Sequence, residues 1–467
     1  MSTFSGLNTA FSSLNAQRVA LEVSGQNIAN ANTVGYTRQR AHLESVSGAQ
    51  ISRGTYSQPV GQGVSIKGIE RLGDLFLDAR VRSTGSSAAM LSARADAYAR
   101  IESILNEPSD DGISHSFNEL WSGFQEVAKS PQTLATKQVV LEQSRALASE
   151  LRNGYSALET QWIQQHQEIT GQVAEINAAA ASVAEFNTQI QLMNVSGGNA
   201  SELIDQRQLV IQQLAESAGA TARFREDGTV DVSVGGNILV SGNSAQKLAV
   251  TGPSTLQGVM GATAQTLQVV WERPGSAIVN FDGGEISGKL LATAPAGQGG
   301  LIAKAAQGYN DVATSLATSV NGLLAKADGG KPLFALGGDP AAKTLSITLT
   351  DPEDLKVGAP NMGEFDGSIA DEIAQLGSSI DGPSAQWKTF VVKVGVEAKS
   401  SAASAEVAYS AFETAATLQL SNASVDIDEE TVNLLTYQRG YQAASRVLTT
   451  IDEMLDQLIN RTGVVGR

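Results

Sequence analysis

A chain of 467 residues is long enough for two to four domains. Its formal net charge of −16 argues against nucleic acid and anionic membrane surfaces as partners. Because the chain has no cysteine, disulfides, thiolate metal sites and thiol nucleophiles are excluded. Only 5% of the residues are aromatic while 46 are glycine, which favours helices packed through small side chains over an aromatic-rich enzyme interior.

The two ends of the chain carry matching apolar stripes. A helix predicted from Thr3 to Asn30 has heptad-spaced apolar residues at Phe4, Leu7, Phe11, Leu14, Leu21 and Ile28. A C-terminal helix repeats the spacing at Leu434, Tyr437, Tyr441, Leu448, Ile451, Leu455 and Leu458. A period of 3.5 residues keeps one face against a partner when two helices supercoil, so we predict that the termini form one coiled coil. Arg18 and Gly25 interrupt the first stripe, and this end is therefore expected to become ordered only with a partner.

Helical periods dominate the chain between its ends. Residues 41–90 alternate weakly and predict an extended connector with short strands. Helices are predicted from Leu91 to Leu105 and from Ile113 to Val127, and no proline interrupts the chain between Pro131 and Asn194. If that last stretch is one helix, it is about 96 Å long. A shorter helix follows at Glu202–Leu214.

Strand-like alternation begins at Thr221. Asp227-Gly228 lies between two alternating runs and predicts a hairpin, and further runs end at Trp271 and cover 277–281. These runs predict a small β domain inserted between helices. A helical pattern covers 288–326, and a second alternating segment around Leu345 is assigned to the same β domain before helix returns at Trp387.

Three segments resemble the bacterial flagellar rod, hook and hook-associated proteins. The residues that carry the N-terminal resemblance are Asn27, Ile28, Ala29, Asn30, Asn32, Thr33, Gly35 and Tyr36. Asp428, Glu429 and Glu430 resemble the family's C-terminal motif, and Asp205, Gln206 and Arg207 resemble the hook-associated branch in particular. Val34 stands where proline is usual in the family.

The pattern and the resemblance together predict a mainly α fold with an inserted β domain. The expected parts are a terminal coiled-coil domain (1–40 and 426–467), a helical rod domain (41–220, 286–326 and 386–425) and a β-rich outer domain (221–285 and 327–385).

The resemblance implies a structural subunit that forms the junction between flagellar hook and filament by helical self-assembly and contributes to motility. It also implies type III export, because the N-terminus lacks the basic and apolar segments of a Sec signal. The implied partners are further copies of the chain, the hook protein, the second junction protein and an export chaperone. Neither a cofactor nor a metal is expected.

Two alternatives remain open on the sequence. One is another axial subunit, such as hook protein or flagellin, against which the segment containing Asp205 argues. The other is a nucleotide-binding enzyme, since 283–289 has the spacing of a phosphate-binding loop; Leu290 stands where such a loop needs Ser or Thr. The histidines His42, His115 and His166 share no spacing typical of a metal site or an acid-base pair.

Overall fold

The computed structural model describes residues 3–46, 61–273, 275 and 277–460. The side chain of Phe4 and the tail 461–467 lie outside the described residues. The first half of the chain forms α1 (Thr3–Ala29), β1 (Gln39–Ser45), β2 (Val64–Arg71), α2 (Leu75–Leu105), α3 (Ile113–Lys129), α4 (Leu134–Ser196) and α5 (Ser201–Ala218). A run of short strands follows: β3 (Thr221–Phe224), β4 (Val230–Val234), β5 (Asn237–Ser241), β6 (Ser244–Ala245), β7 (Leu248–Thr251) and β8 (Gln268–Trp271).

The remaining part of the chain is again mostly helical. Its elements are α6 (Glu285–Thr293), α7 (Leu301–Leu324), β9 (Phe334–Leu336), α8 (Ala341–Thr344), β10 (Leu345–Ile347), α9 (Ser368–Gln375), α10 (Pro383–Ala423) and α11 (Ile427–Asn460). Within the described residues, no helix combines the length and the apolar character that a membrane span requires. The mainly α fold with an inserted β unit is confirmed.

The long helix predicted after Pro131 is confirmed as one element. The α4 helix has 63 residues and is therefore about 95 Å long. A continuous buried stripe runs along it, and Gly197 ends it in the left-handed conformation (φ 70°) that favours glycine. The α4 helix packs on α2, α3, α5, α6, α7 and α8 and on strands β4 to β7 and β10.

The first hydrophobic core lies around the N-terminal half of α4. It collects buried side chains from α2, α3, α7, α9 and α10, including Trp162, Tyr309 and Trp387. The rings of Tyr309 and Trp387 meet edge to face with their centroids 5.1 Å apart, a favourable arrangement for aromatic pairs.

The second hydrophobic core lies between the C-terminal half of α4, α5 and the strands that follow. Strands β3 to β6 form an antiparallel sheet in chain order, and β7 pairs with β8. The predicted hairpin at Asp227-Gly228 is confirmed, with Phe224 opposite Val230. No strand forms at 277–281; Ile278 makes a single bridge to Val270 and is about half exposed.

The structure separates the two segments that the sequence analysis joined into one β domain. The strands between 221 and 271 build the second core, whereas Phe334 and Leu345, on the paired strands β9 and β10, are buried in the first core. Alternation shows that one face of a strand is covered but does not identify what covers it. Here the covering surfaces are α4 and α7.

Two helix boundaries also differ from the prediction. The α2 helix begins at Leu75, where Asp74 caps it, instead of at Leu91. Its first half packs on α10 through small side chains such as Gly85 and Ala88, so no large apolar period marks it. The helix predicted over 288–326 is divided at 294–300, where Pro295 cannot donate the hydrogen bond that a continuous helix needs.

Candidate assembly site

The terminal helices α1 and α11 pack against each other in antiparallel orientation. A Cβ placed on Gly6 would lie 3.3 Å from Ile451, and one on Gly440 would lie 2.9 Å from the Gln17 side chain. The residue numbers of the contacts in α11 fall as those in α1 rise, so the two helices run in opposite directions. Both glycines therefore stand where the partner helix approaches closely.

Small side chains fill the centre of this pair. Ala10, Ala16, Ala20 and Val23 of α1 and Ala444 of α11 are buried. The predicted seam residues Leu7, Leu14, Leu21, Ile28, Leu434, Tyr437, Tyr441, Leu448, Ile451 and Leu455 are half-buried. Phe11 and Leu458 are 62% and 54% exposed. The single chain thus covers one side of most seam residues, and their burial in a closed seam stays a prediction.

The turn after α1 is organised by the buried side chain of Asn27. Its Nδ2 donates to the carbonyl of Gln39 at 2.8 Å, and its Oδ1 accepts from the backbone N–H of Gln39 at 3.0 Å. The Tyr36 hydroxyl donates to the same Oδ1 at 2.9 Å. Burial, together with Asp205 and other nearby carboxylates, raises the pKa of Tyr36 to about 12, so its hydroxyl is a donor at neutral pH. Asn27 therefore holds the end of α1 against the start of β1.

A buried ion pair connects this turn to the rod. Asp205 of α5 accepts from Nε of Arg71 at 2.8 Å and also from its Nη2, and it accepts from the backbone N–H of Thr37 at 3.2 Å. Arg71 Nη2 in turn donates to the Thr37 hydroxyl at 2.9 Å. Burial raises the pKa of the Asp205 carboxyl, and Arg71 and Thr37 oppose that shift. The charge of Asp205 is thus compensated by groups from β2 and the turn.

A second ion pair connects the turn to α11. Arg38 donates from Nε to Glu430 at 2.8 Å, and from Nη1 and Nη2 to Glu429 at 3.0 and 2.8 Å. Glu430 is 2% exposed, whereas the side chain of Glu429 is 57% exposed. The acidic residues in the first turn of α11 favour the helix dipole. The structure shows that this turn also binds an arginine from the other end of the chain.

Arg207 extends the same connection into the β unit. Its Nη1 donates to Asn187 Oδ1 at 2.8 Å and to the carbonyl of Gly228 at 2.7 Å. Asn187 is fully buried on α4 and donates to the carbonyl of Val230 at 2.8 Å. Burial and the nearby charge of Arg71 lower the pKa of Arg207 to about 10. Arg207 therefore fixes α5 and the β3-β4 hairpin to α4.

The structure brings together Asn27, Tyr36, Asp205, Glu429 and Glu430; we call these residues with Thr37, Arg38 and Arg71 the joint. Several other predicted motif residues take no part in these hydrogen bonds. Asn30 forms hydrogen bonds within its own turn and Ile28 is half-buried; the exposed residues are Ala29, Asn32, Thr33, Gln206 and Asp428. Sequence reasoning missed Arg71 and Asn187 altogether.

The features that suggested an enzyme have structural partners. Lys289, the lysine of the loop at 283–289, lies 2.9 Å from Glu285 and 3.1 Å from Glu168. A Cβ on Gly284 would lie 2.4 Å from the backbone of Gly219, so this turn is packed against the end of α5. His166 stacks on Trp162 with ring centroids 5.6 Å apart. In the described part of the chain, no three His, Asp or Glu side chains are arranged to hold a metal ion.

Replacing Gly35 with alanine is expected to open the turn of the joint. Gly35 has φ +80°, and a Cβ there would lie 2.6 Å from Leu209 of α5. Protease cleavage between residues 30 and 38 of the variant should be at least tenfold faster, because the strained conformation alone costs an alanine about 1–2 kcal/mol. Gly25→Ala is the control, since no atom outside the local backbone of α1 lies within 4 Å of its added Cβ. Equal cleavage of both variants would contradict this account of the turn.

The titration of Glu429 should report its contact with Arg38. Arg38 holds the pKa of Glu429 below its usual value. A carboxyl whose folded pKa is lowered stabilises the folded state above its unfolded pKa, about 4.3, and loses that contribution as the pH falls through the lower folded value. We expect a carboxyl-carbon NMR midpoint below that of the unfolded chain, and this midpoint should rise in Arg38→Ala. A midpoint unchanged by that substitution would show that the ion pair does not form.

Comparison with known proteins agrees with this geometry. The family model described as the flagellar hook-associated protein FlgK helical domain matches residues 98–334, just over half of the chain. Models of the flagella basal body rod protein and of the flagellar basal body rod FlgEFG protein C-terminal region match 7–37 and 419–461. The two end matches contain most of α1 with its turn and all of α11.

Individual relatives are named flagellar hook-associated protein 1. The chain is 26% identical to flagellar hook-associated protein 1 of Bacillus subtilis (strain 168) over 509 aligned positions that cover all of both chains. It is 28% identical to the Salmonella typhimurium (strain LT2) protein of that name over 385 positions, which cover 78% of this chain and 66% of the relative.

A solved structure has the same fold. The flagellar hook junction protein FlgK from Burkholderia pseudomallei superposes with a TM-score of 0.63 at 14% identity, covering 74% of this chain and all of that one. The family model covers just over half of the chain, and the fold supplies the rod, the joint and the paired terminal helices. The chain therefore belongs to the family of the flagellar hook-associated protein FlgK, whose members are structural subunits of the flagellar hook-filament junction.

Proposed function

We propose that this chain is secreted and assembles side by side with further copies of itself between the hook and the filament, using the α1/α11 pair as its assembly surface. The observation that carries the proposal is the joint, in which residues from α5, β2 and the turn after α1 hold the antiparallel pair at one end of the rod. A subunit built this way presents both terminal helices as one element to its neighbours.

The exposed side of α11 supports this role. Val432, Leu435, Val447 and Met454 of α11 are each about half exposed or more. Exposed apolar side chains that form a contiguous patch usually mark a protein interaction site. Since the α1 face and the α11 face of the pair differ, contacts between neighbouring pairs are heterologous and can continue around a helical assembly.

The same surface suggests the other partners. The hook protein and the second junction protein would contact the helix pair from opposite sides along the axis of the flagellum. An export chaperone would cover the exposed apolar residues of α11 before assembly. We assign the chain no catalytic role, because Lys289, which prompted the enzyme alternative, is held by Glu285 and Glu168.

Export is expected to depend on the N-terminal segment. Deleting residues 2–30 should keep the protein inside the cell, because that segment contains all of α1 and most of the stretch that matches the flagella basal body rod model. The measurement is the fraction of the chain in the culture medium of cells that assemble hooks. A Leu448→Asp chain, altered only in α11, serves as the control and should still be secreted. Normal secretion of the deletion would place the export signal elsewhere.

Removal of the gene tests the function directly. Cells lacking the chain should build hooks, lose motility and release filament subunits into the medium, and the wild-type gene should restore filaments. Motile cells with normal filaments would refute the proposed role.

A further inference from the structure

The outward side of α10 is apolar where a solvent-facing helix usually carries charge. Its buried side chains, including Trp387, Val394 and Ala398, face the rod. On the opposite side Val392, Val396, Val407 and Leu418 are 57%, 64%, 71% and 42% exposed. We call these four residues the α10 ridge. Between 400 and 424 only Glu406 and Glu413 are charged. An exposed helix normally has a charged outer face, so this pattern indicates a contact surface.

The ridge is straight and long. Val396, Val407 and Leu418 are spaced by eleven residues, a repeat of 3.67 residues per turn that stays on one side of an unbent helix. From Val392 to Leu418 the ridge therefore extends about 39 Å. β-Branched side chains are stiff, so little rotamer entropy is lost when such a ridge is covered.

Uncompensated positive charge accompanies the first half of the ridge. Lys388, Lys393 and Lys399 are exposed on α10, and none has a carboxylate within salt-bridge distance in the described part of the chain. In a chain of net charge −16 such a group of lysines favours an acidic partner surface. The chain itself offers that surface on α4.

The outer face of α4 is complementary in charge and shape. Between residues 153 and 196 the helix contains no lysine or arginine, and Glu175 and Glu185 are exposed without an ion pair among the described residues. Small exposed side chains lie between them, including Ala178 and Ala181. A ridge of valines can approach a helix closely where its side chains are small.

We propose that the α10 ridge of one chain is covered by the outer face of α4 of a second copy. The inference rests on the proposed function, in which copies pack side by side. Within one molecule α10 packs on α2 and α7 while α4 packs on α3, α5 and α7, so the two surfaces do not meet there. Each copy thus has one surface of each kind, and the contact propagates from copy to copy.

Photo-crosslinking in flagella tests the inference. Benzoylphenylalanine at position 407 should yield, on irradiation of isolated flagella, an adduct of two copies in which the attached peptide lies within 160–190. The same group at exposed Thr251 of β7 is the control and should not attach to that peptide. Crosslinking of position 407 only to other proteins, or no adduct between copies although the chain is in the flagella, would overturn the inference. Absence of the chain from the flagella would overturn the proposed function itself.

A charge exchange provides the second arm. Lys393→Glu with Lys399→Glu should lower the yield of the two-copy adduct roughly fivefold, the effect expected when about 1 kcal/mol of exposed ion pairing is lost. Adding Glu175→Lys and Glu185→Lys to the same chain should restore most of the yield. A general folding defect would not be repaired by these substitutions on a different helix, whereas failure of the repair would contradict the proposed pairing.

Discussion

Replacing Asp205 with alanine is expected to release the terminal helix pair from the rod. The change removes the carboxylate that accepts from Arg71 and from the Thr37 backbone and leaves the Arg71 charge without its partner. The side chains of Arg71 and Asp205 are only 17% and 7% exposed. Breaking a buried ion pair in this way costs about 3–5 kcal/mol, so amide hydrogen exchange in β1 and in the turn before it should accelerate at least about 100-fold.

Three variants separate this effect from a general loss of stability. Asp96→Ala removes an exposed acid of α2 and should leave exchange unchanged. Asp205→Asn keeps an acceptor for Thr37 and should have an intermediate effect. Asp205→Ala combined with Arg71→Met removes both charges and should be less damaging than Asp205→Ala alone, because no buried charge is left without a partner. If Asp205→Ala exchanged like Asp96→Ala, the pair would not hold the joint.

Replacing Leu448 with aspartate is expected to abolish assembly without unfolding the rod. Leu448 is half-buried in α11 and lies one heptad from both Tyr441 and Leu455. We predict that neighbouring subunits complete its burial, and an unpaired carboxylate there would cost several kcal/mol in every subunit. The rod cores contain no residue of α11, so their thermal unfolding should not change. The chain should be exported, and filament subunits should accumulate in the medium.

Matched substitutions show whether the loss of assembly depends on the added charge or on its position at residue 448. Leu448→Met keeps an apolar side chain of similar volume and should assemble. Asn153→Asp adds the same charge to an exposed position of α4 and should also assemble. Normal motility of Leu448→Asp, or a rod that melts at a clearly lower temperature, would show that Leu448 does not lie in an assembly seam.

Elements marked by a local sequence pattern could be predicted, and residue pairs distant in the chain could not. The α4 helix and the Asp227-Gly228 hairpin depend on local patterns, and both were predicted. Arg71 and Asp205 are separated by 134 residues, and Arg38 and Glu430 by 392. A charged residue beside a turn does not reveal its partner, because such residues are usually solvated. Resemblance identified Asp205 and Glu430, and only the fold identified the residue that each of them binds.

The helix contacts that were not predicted are formed by small side chains. The first half of α2 packs through Gly85 and Ala88, and the centre of the terminal pair packs through Ala16 and Ala20. Alanine and glycine contribute little to an apolar period although they allow the closest helix contacts. The predicted leucine stripe is therefore only part of the α1 packing surface. Assignment of the 327–385 segment failed for a related reason, since short alternation does not show which core a strand covers.

Immunogold labelling of intact flagella tests the central claim most directly. An epitope inserted after Thr263, in the exposed loop between β7 and β8, should leave both cores intact. We expect gold at one narrow band at the boundary between hook and filament in motile cells that carry the tagged chain. Gold distributed along the filament or the hook, or filaments that form in cells with no labelled band, would contradict the assignment of this chain to the junction.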